Sequence, residues 1–337
     1  MVEQKNKDVK FLDSLYQVGR ENLWDQALLA NLADEVDPFN DLHLFRSTDK
    51  AYDGKNTFWK TPSPEPDIPL EFWQILKPSL YSEKLKLAGS QLAKSISEFE
   101  PNGDNLIFAA ILRAGVPIVD WLIKLFPGSI GIQISLFVGL GVDKVAFKCL
   151  KEAFPTRKII FVDGWTGRGG VAREIAVNKL GKLAVLIDPW GWANFSGCQE
   201  DMFCPTACFT GPTTLGFSRT FFTKENNMFS AYLFPIKYQL LDLINLWKAA
   251  CPKTIAQSIL VKRFFKETNL RLHSNEVCRA LINANPKEIY FANDKKFVLE
   301  NFEILLRLAE IRKVKVQFKN TWLKDYQTNV ACNLENS

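Results

Sequence analysis

Four short apolar runs, each separated from the next by a stretch with helical spacing, constrain this chain more than anything else in it. They are Leu106–Leu112 (LIFAAIL), Ile130–Val138, Lys158–Asp163 (KIIFVD) and Leu183–Asp188 (LAVLID). Between them, Val116–Phe126, Lys144–Phe154 and Gly170–Leu180 place apolar residues at helical intervals; Val171, Ile175 and Val177 are the set in the last. A run that is apolar at every position belongs to a strand covered on both faces. Strand, helix and strand in alternation call for right-handed crossovers and a parallel sheet. The fold class expected is α/β.

The flanks read differently. Residues 1–68 form an extension in which short helical patterns such as Trp24–Leu29 alternate with polar runs, ending in the proline-rich stretch TPSPEPDIP (61–69), an extended connector. Tyr81–Phe99 has the helical set Leu85, Ala88, Leu92, Ile96 and Phe99. After Asp188 the chain is irregular to about Thr223; Phe229–Phe234 reads as a strand and Tyr238–Ala250 as a helix. Cys251-Pro252-Lys253 marks a boundary, giving a main domain over 69–253 and a small α/β unit over 254–337. In that unit Glu276–Ala284 and Phe297–Ile311 read as helices, Glu288–Ala292 and Val314–Phe318 as strands.

With 337 residues, 47% hydrophobic and 23% charged, the chain is neither disordered nor fibrous and has material for a core in each of two domains. The net charge of +5 permits phosphate-rich ligands or nucleic acid without demanding them. Seven cysteines are scattered; Cys204 and Cys208 form the sole close pair, with no second pair to close a zinc site, and no protein-held metal is expected. Free thiols in a reducing cytoplasm are the default. MVEQKNKDVK carries no apolar core of a secretory signal. The most apolar stretch, Leu106–Phe126, is broken by Arg113, Asp120 and Lys124, so no membrane span is expected and the location is cytoplasmic.

In open parallel sheets ligands sit beyond the carboxyl ends of the strands. After the third run comes Asp163-Gly164-Trp165-Thr166-Gly167-Arg168-Gly169-Gly170, opening a helix at Val171. Glycines let backbone N–H groups turn inward and the helix start adds partial positive charge, which together suit a phosphate. Asp163 either binds sugar hydroxyls or a hydrated cation, or caps the loop. After the first run, Arg113-Ala114-Gly115-Val116-Pro117 is a second small-residue turn into a helix, with an arginine beside it and proline in its first turn. Two such loops suggest a ligand with two separated anionic groups.

The pair resembles the type I phosphoribosyltransferases, in which a hydrophobic strand is followed by two acids, three residues and Thr-Gly-Gly-Thr. Here the frame is Val162-Asp163-Gly164, three residues, then Arg168-Gly169-Gly170-Val171. The first acid is present, the second is Gly164, and both threonines are replaced. The segments FVDGWTGRGGVAREIA, LAVLIDPWGWA and PTACFTGPTTLGFSRT are similar to the StiP-type family of bacterial proteins from tellurium-resistance gene clusters, over Asn105 to Pro235. The tail VCRALINANPKEIYFAND…LRLAEIRKVKVQF resembles the Pelota-like RNA-binding module found with such cores.

The resemblance implies a phosphoribosyltransferase-like enzyme acting at the ribose anomeric carbon of a phosphoribosyl (PRPP-type) ligand, with an RNA-related or nucleoside-like substrate. Thr166, Gly167, Arg168, Gly169 and Gly170 would hold the 5-phosphate. Arg113, Ala114 and Gly115 would hold pyrophosphate with Mg2+, and Asp163 the ribose hydroxyls. The missing second acid keeps a rival open, a non-catalytic nucleotide or RNA sensor. A third reading, cysteine protease, follows from the family's label; Cys208 is its best thiol, and the two histidines, His43 and His273, lie in the flanking regions.

Asp188, Trp190 and Arg219 are acceptor-side candidates, with Trp190 or Trp192 stacking on a base or simply packing. Ser218-Arg219-Thr220 binds an anion or lies on the surface; Gly139–Asp143 is a cover or an ordinary turn. Lys262, Arg263, Lys266, Arg271, Arg312, Lys313 and Lys315 give the tail an RNA-facing charge or a solvated face.

Overall fold

The computed structural model describes residues 23–46, 60–222, 228–253, 268–284 and 286–334. In chain order the first half runs β1 (Ala27–Leu29), β2 (Asn31–Glu35), α1 (Leu70–Leu76), α2 (Glu83–Phe99), β3 (Leu106–Ile111), α3 (Val116–Leu125), β4 (Ile130–Ile134), β5 (Leu136–Phe137), β6 (Gly141–Val142) and α4 (Lys144–Ala153). There follow β7 (Lys158–Trp165), α5 (Gly170–Val177), β8 (Lys182–Ile187), β9 (Phe195–Cys198), β10 (Ser230–Leu233) and α6 (Leu241–Ala249). The last unit has β11 (Arg271–Leu272), α7 (Ser274–Asn283), β12 (Glu288–Phe291), α8 (Lys295–Ile311), β13 (Lys315–Gln317) and β14 (Val330–Asn333).

The expected parallel sheet is present, six strands in the order β1-β4-β3-β7-β8-β9, every pair parallel. Residues of β3 show why its run is unbroken. Leu106, Phe108 and Ala110 enter one core with α2, α3 and α6, while Ile107, Ala109 and Ile111 enter another with α4 and α5. Two faces, each needing apolar side chains at every second position, leave no position for a polar one. Ser82 caps α2 by accepting from Leu85 N–H, and Asp143 caps α4 through Val145 and Ala146.

The helical reading of Trp24–Leu29 is corrected: Ala27–Leu29 is the edge strand beside β4, with Ala27 opposite Ile132. Ala27 and Leu29 are buried and Leu28 half-buried, a period of two. Trp24 donates its indole N–H to Thr214 O (2.8 Å) and Gln26 its amide to Val116 O (2.7 Å), so tertiary partners override local helical spacing. The second run also divides. β4 ends at Ile134, and Leu136–Phe137 folds back against Gly141–Val142 as a short arm. A small parallel pair, β10 with β2, closes the extension onto the core.

The last unit has its own four-stranded sheet, β11-β14-β12-β13. Its helices α7 and α8 bury Val277, Leu281, Leu305 and Leu308 in the same apolar cluster that covers one face of the main sheet. Phe297, in the first turn of α8, is 40% exposed. Among the described residues no helix is long and apolar enough to cross a membrane.

Candidate functional site

The turn after β3 is tight. Gly115 starts α3 against β7, and a Cβ there would lie 2.0 Å from Val162 O, so no other residue fits. Arg113 is turned inward instead of facing the strand ends. Its buried guanidinium makes a forked pair with the buried carboxylate of Glu65, in the proline-rich stretch. Glu65 Oε2 also accepts Gly211 N–H at 3.2 Å, from the π-turn Gly211–Leu215. The predicted pyrophosphate arginine is therefore a stitch between three segments, and Glu65, read as linker, is the residue that holds it.

The turn after β7 is different. Thr166 N–H pairs with Ile187 O and its hydroxyl donates to the buried Asp188 carboxylate. Asp188 also accepts Trp192 N–H (3.0 Å) and Ala193 N–H (2.9 Å), so its oxygens shape the neighbouring turn and orient Thr166. Beyond Thr166, the backbone N–H groups of Gly167, Arg168 and Gly169 reach no acceptor among the described residues. Gly169 has φ +76°, and a Cβ there would meet the Trp192 indole at 2.6 Å. Arg168 is exposed and without a hydrogen bond or ion pair among the described residues. Its neighbour Arg173 lies 5.7 Å from the Trp192 ring.

Asp163 stands at the end of this strand, half-buried, accepting Gly164 N–H at 2.8 Å. Burial pushes its carboxyl up to about 7; the Gly164 N–H opposes this, the nearby Glu276 carboxylate adds to it, and Arg279 opposes it. Glu276 and Arg279 come from α7 of the last unit, which packs over the strand ends. Glu276 Oε1 accepts the Trp165 indole N–H at 2.9 Å and Oε2 accepts from Arg271 at 3.2 Å. Its carboxyl carbon lies 2.6 Å from where a Cβ on Gly167 would be.

The remaining candidates are spread around this edge. Trp190 is buried with Leu272, Ala292 and Leu323 and meets the His273 ring edge-on at 4.9 Å, inside the joint with the last unit. Arg219 is half-buried, 5.8 Å from the Phe137 ring on the arm after β4. Val138, on that arm, lies 3.0 Å from a Cβ position on Gly170. Lys262, Arg263 and Lys266 lie outside the described residues. Arg271 is held by Glu276, Arg312 donates to Ala284 O (3.3 Å), and Lys315 pairs with Glu288 (2.5 Å). Lys313 is exposed.

His273 is brought against the core, contrary to its position in the sequence. Its Nδ1 lies 3.7 Å from Asp201 Oδ2, and neither ring nitrogen makes a hydrogen bond. Asp201 accepts Ser274 N–H (2.8 Å) and Asn329 N–H (3.1 Å), and Asn275 accepts Cys204 N–H (2.7 Å), so the first turn of α7 is locked to the segment 201–204. The thiols are buried in the same joint. Cys208 Sγ is 3.5 Å from Cys278 Sγ, and Cys204 Sγ is 3.1 Å from Thr206 Oγ1. Burial pushes Cys204 up to about 12 and Cys208 well above the ordinary thiol range, the reverse of an activated nucleophile. Accordingly, Cys204, Cys208 and Cys278 should resist iodoacetamide in the folded protein and react on unfolding, as followed by mass spectrometry. Rapid alkylation of native Cys208 would contradict this.

Comparison with known proteins adds a family. A family described as "Tellurite-like stress resistance cysteine protease StiP" matches residues 53–239. A protein named cysteine protease StiP, from Acinetobacter baylyi, is 23% identical over 145 residues, which is 38% of this chain and 38% of that one. The match thus spans well under half of that relative's length. Among solved structures, a hypoxanthine-guanine-xanthine phosphoribosyltransferase shares 18% identity at a TM-score of 0.24, covering 32% of this chain and 65% of that chain. A hypoxanthine-guanine phosphoribosyltransferase from Bacillus anthracis shares 18% at a TM-score of 0.23, covering 32% and 67%. Likeness at that level carries no argument about the site. The family match, by contrast, takes in more than half of the 337 residues and every strand of the main sheet except β1, and the chain belongs to the StiP family.

Proposed function

We propose that the main domain binds a phosphoribosyl ligand at the carboxyl ends of β3 and β7 and acts at its anomeric carbon, as a phosphoribosyltransferase does. One observation carries this: three consecutive N–H groups, of Gly167, Arg168 and Gly169, have no acceptor among the described residues and lead into the start of α5. Such a loop concentrates partial positive charge where phosphate oxygens are best held. Arg168 adds a full charge. Asp163, with its carboxyl near 7, is suited to sugar hydroxyls, since it donates when protonated and accepts when ionised.

In glycosyl transfer the ribose becomes cationic as the leaving group gains negative charge. Positioning and preorganised electrostatics supply most of the rate. Magnesium carried with the ligand would neutralise the leaving group. Among the described residues no cluster of three or more His, Cys, Asp or Glu is placed to hold a metal alone. An ion carried with the ligand would be bound chiefly by its phosphates, with Asp163 at hand.

Titration calorimetry with ribose 5-phosphate and phosphoribosyl pyrophosphate tests the reading. Arg168→Ala should weaken binding about ten-fold, the loss of one charge-assisted contact. Gly169→Val should abolish it, because its side chain enters the Trp192 ring. No heat with either ligand, in folded protein, rejects the site.

A second reading, binding without turnover, is favoured by Arg113. Its guanidinium is committed to Glu65, which leaves the β3 turn without a free arginine for pyrophosphate. Phosphoribosyl pyrophosphate that binds and is recovered intact would select it. For the last unit the reading is a Pelota-like RNA-binding module that presents RNA to the strand ends. Its support is the exposed Lys313, with Lys319 and Lys324 exposed nearby in sequence.

A further inference from the structure

We propose that Glu276 is the specificity-determining residue of the strand-end loop, making it accept a phosphate that carries a divalent cation in preference to the bare dianion. This rests on reading 167–169 as a phosphate loop. Glu276 belongs to α7, so the last unit would take part in choosing what the main domain binds.

The placement is firm. The Trp165 indole and Arg271 hold the two oxygens of Glu276 at 2.9 and 3.2 Å. The oxygens lie 2.8 and 2.9 Å from a Cβ position on Gly167, yet accept none of the N–H groups of 167–169. The carboxylate therefore borders the loop without filling its hydrogen bonds.

Part of the positive charge at this spot is already bonded within the protein. A phosphate monoester brings a charge of about −1.5 to −2 at neutral pH. Facing it are Asp163 from β7, Glu276 and Arg279 from α7, Arg271 from β11 and Arg168 of the loop itself. Arg271 is spent on Glu276, and Arg279 donates to the carbonyls of Ala207 and Phe209, both at 3.2 Å. Arg113 is spent on Glu65. Arg168, with Arg173 exposed nearby in the first turn of α5, remains to meet the ligand beside Asp163 and the Glu276 carboxylate.

A divalent cation reverses the sign of the interaction. Magnesium is commonly held by one or two carboxylates together with substrate phosphates. The group that repels the bare dianion then attracts the complexed one. An acid at 164, directly after Asp163, would crowd its neighbours, since a Cβ there would lie 3.2 Å from Thr206 Oγ1 and 3.4 Å from Ala114 O. The carboxylate arrives from the other unit instead.

The test uses the full chain and ribose 5-phosphate, by calorimetry, with a chelator and then with excess magnesium. Wild type should gain about ten-fold in affinity on adding magnesium. Glu276→Gln, which keeps an acceptor for Trp165, should bind the metal-free ligand about ten-fold more tightly than wild type and lose most of the magnesium gain. Glu276→Asp, which withdraws the charge but keeps it, should fall between, and serves if the glutamine variant does not fold. Equal metal-free affinity in wild type and variant, with the magnesium gain unchanged, overturns the role of Glu276 and leaves the phosphate loop standing. Weaker metal-free binding by the variant overturns it too, because the carboxylate would then be an attractive contact. No binding by either folded protein, with or without magnesium, overturns the loop and this inference together.

Discussion

Glu65→Ala should lower stability by about 3–5 kcal/mol, the range for breaking a buried ion pair from one side. The Glu65 and Arg113 side chains are only 1% and 6% exposed, so alanine at 65 strands a guanidinium where water cannot replace the carboxylate. It also strips Gly211 N–H of its acceptor, loosening the π-turn beside it. The loss should appear as a lower urea midpoint with an unchanged slope. The double variant Glu65→Leu with Arg113→Met should recover much of it, since two apolar side chains remove both desolvation penalties. A loss below about 1 kcal/mol would match an exposed pair and show that water reaches this one.

The same pair shows where sequence reading succeeds and where it stops. The parallel sheet was legible because β3, β7 and β8 are covered on both faces, and no soluble alternative tolerates LIFAAIL or KIIFVD so well. The 166–170 loop was legible because its glycines and the following helix are local. Glu65 was hidden, because a single acid among prolines says nothing of an arginine 48 residues away. Glu276 was hidden for the same reason; its contact with Trp165 spans 111 residues. Asp188 was legible as a strand-end acid, yet its oxygens serve Thr166, Trp192 and Ala193, since a short turn leaves its own N–H groups nearest. β1 was misread because three residues offer too few positions to separate a period of two from helical spacing. His273, in the flanking region by sequence, is set beside Asp201 because the last unit folds back onto the core, and distance along the chain does not show this.

Two carboxylates at that joint should give opposite pH limbs. Asp163 has its carboxyl pushed up, from 3.8 to about 7, chiefly by burial. The folded state then holds a proton that the unfolded chain has released, so stability falls as pH rises through this interval and levels off above it. Asp163 is half-buried, so water screens part of the effect. Asp201 behaves in the reverse sense. Burial pushes it up, but the His273 imidazole and the N–H groups of Ser274 and Asn329 outweigh that and bring it down to about 2. Its contribution, about 2 kcal/mol, is present above the unfolded value and is lost as pH falls toward 2. Urea midpoints across this range should therefore rise from strong acid to a maximum between the limbs and then decline toward neutrality. Asp163→Asn should flatten the decline and leave the acid limb. Asp201→Asn should remove the acid limb and lower the midpoint at neutral pH. If Asp163→Asn leaves the decline untouched, its carboxyl is already ionised in the fold. Phosphate binding offers a second check on the same group. An ionised Asp163 repels a dianion on the adjacent loop, so affinity for metal-free ribose 5-phosphate should drop as pH passes about 7 in wild type and hold steady in Asp163→Asn.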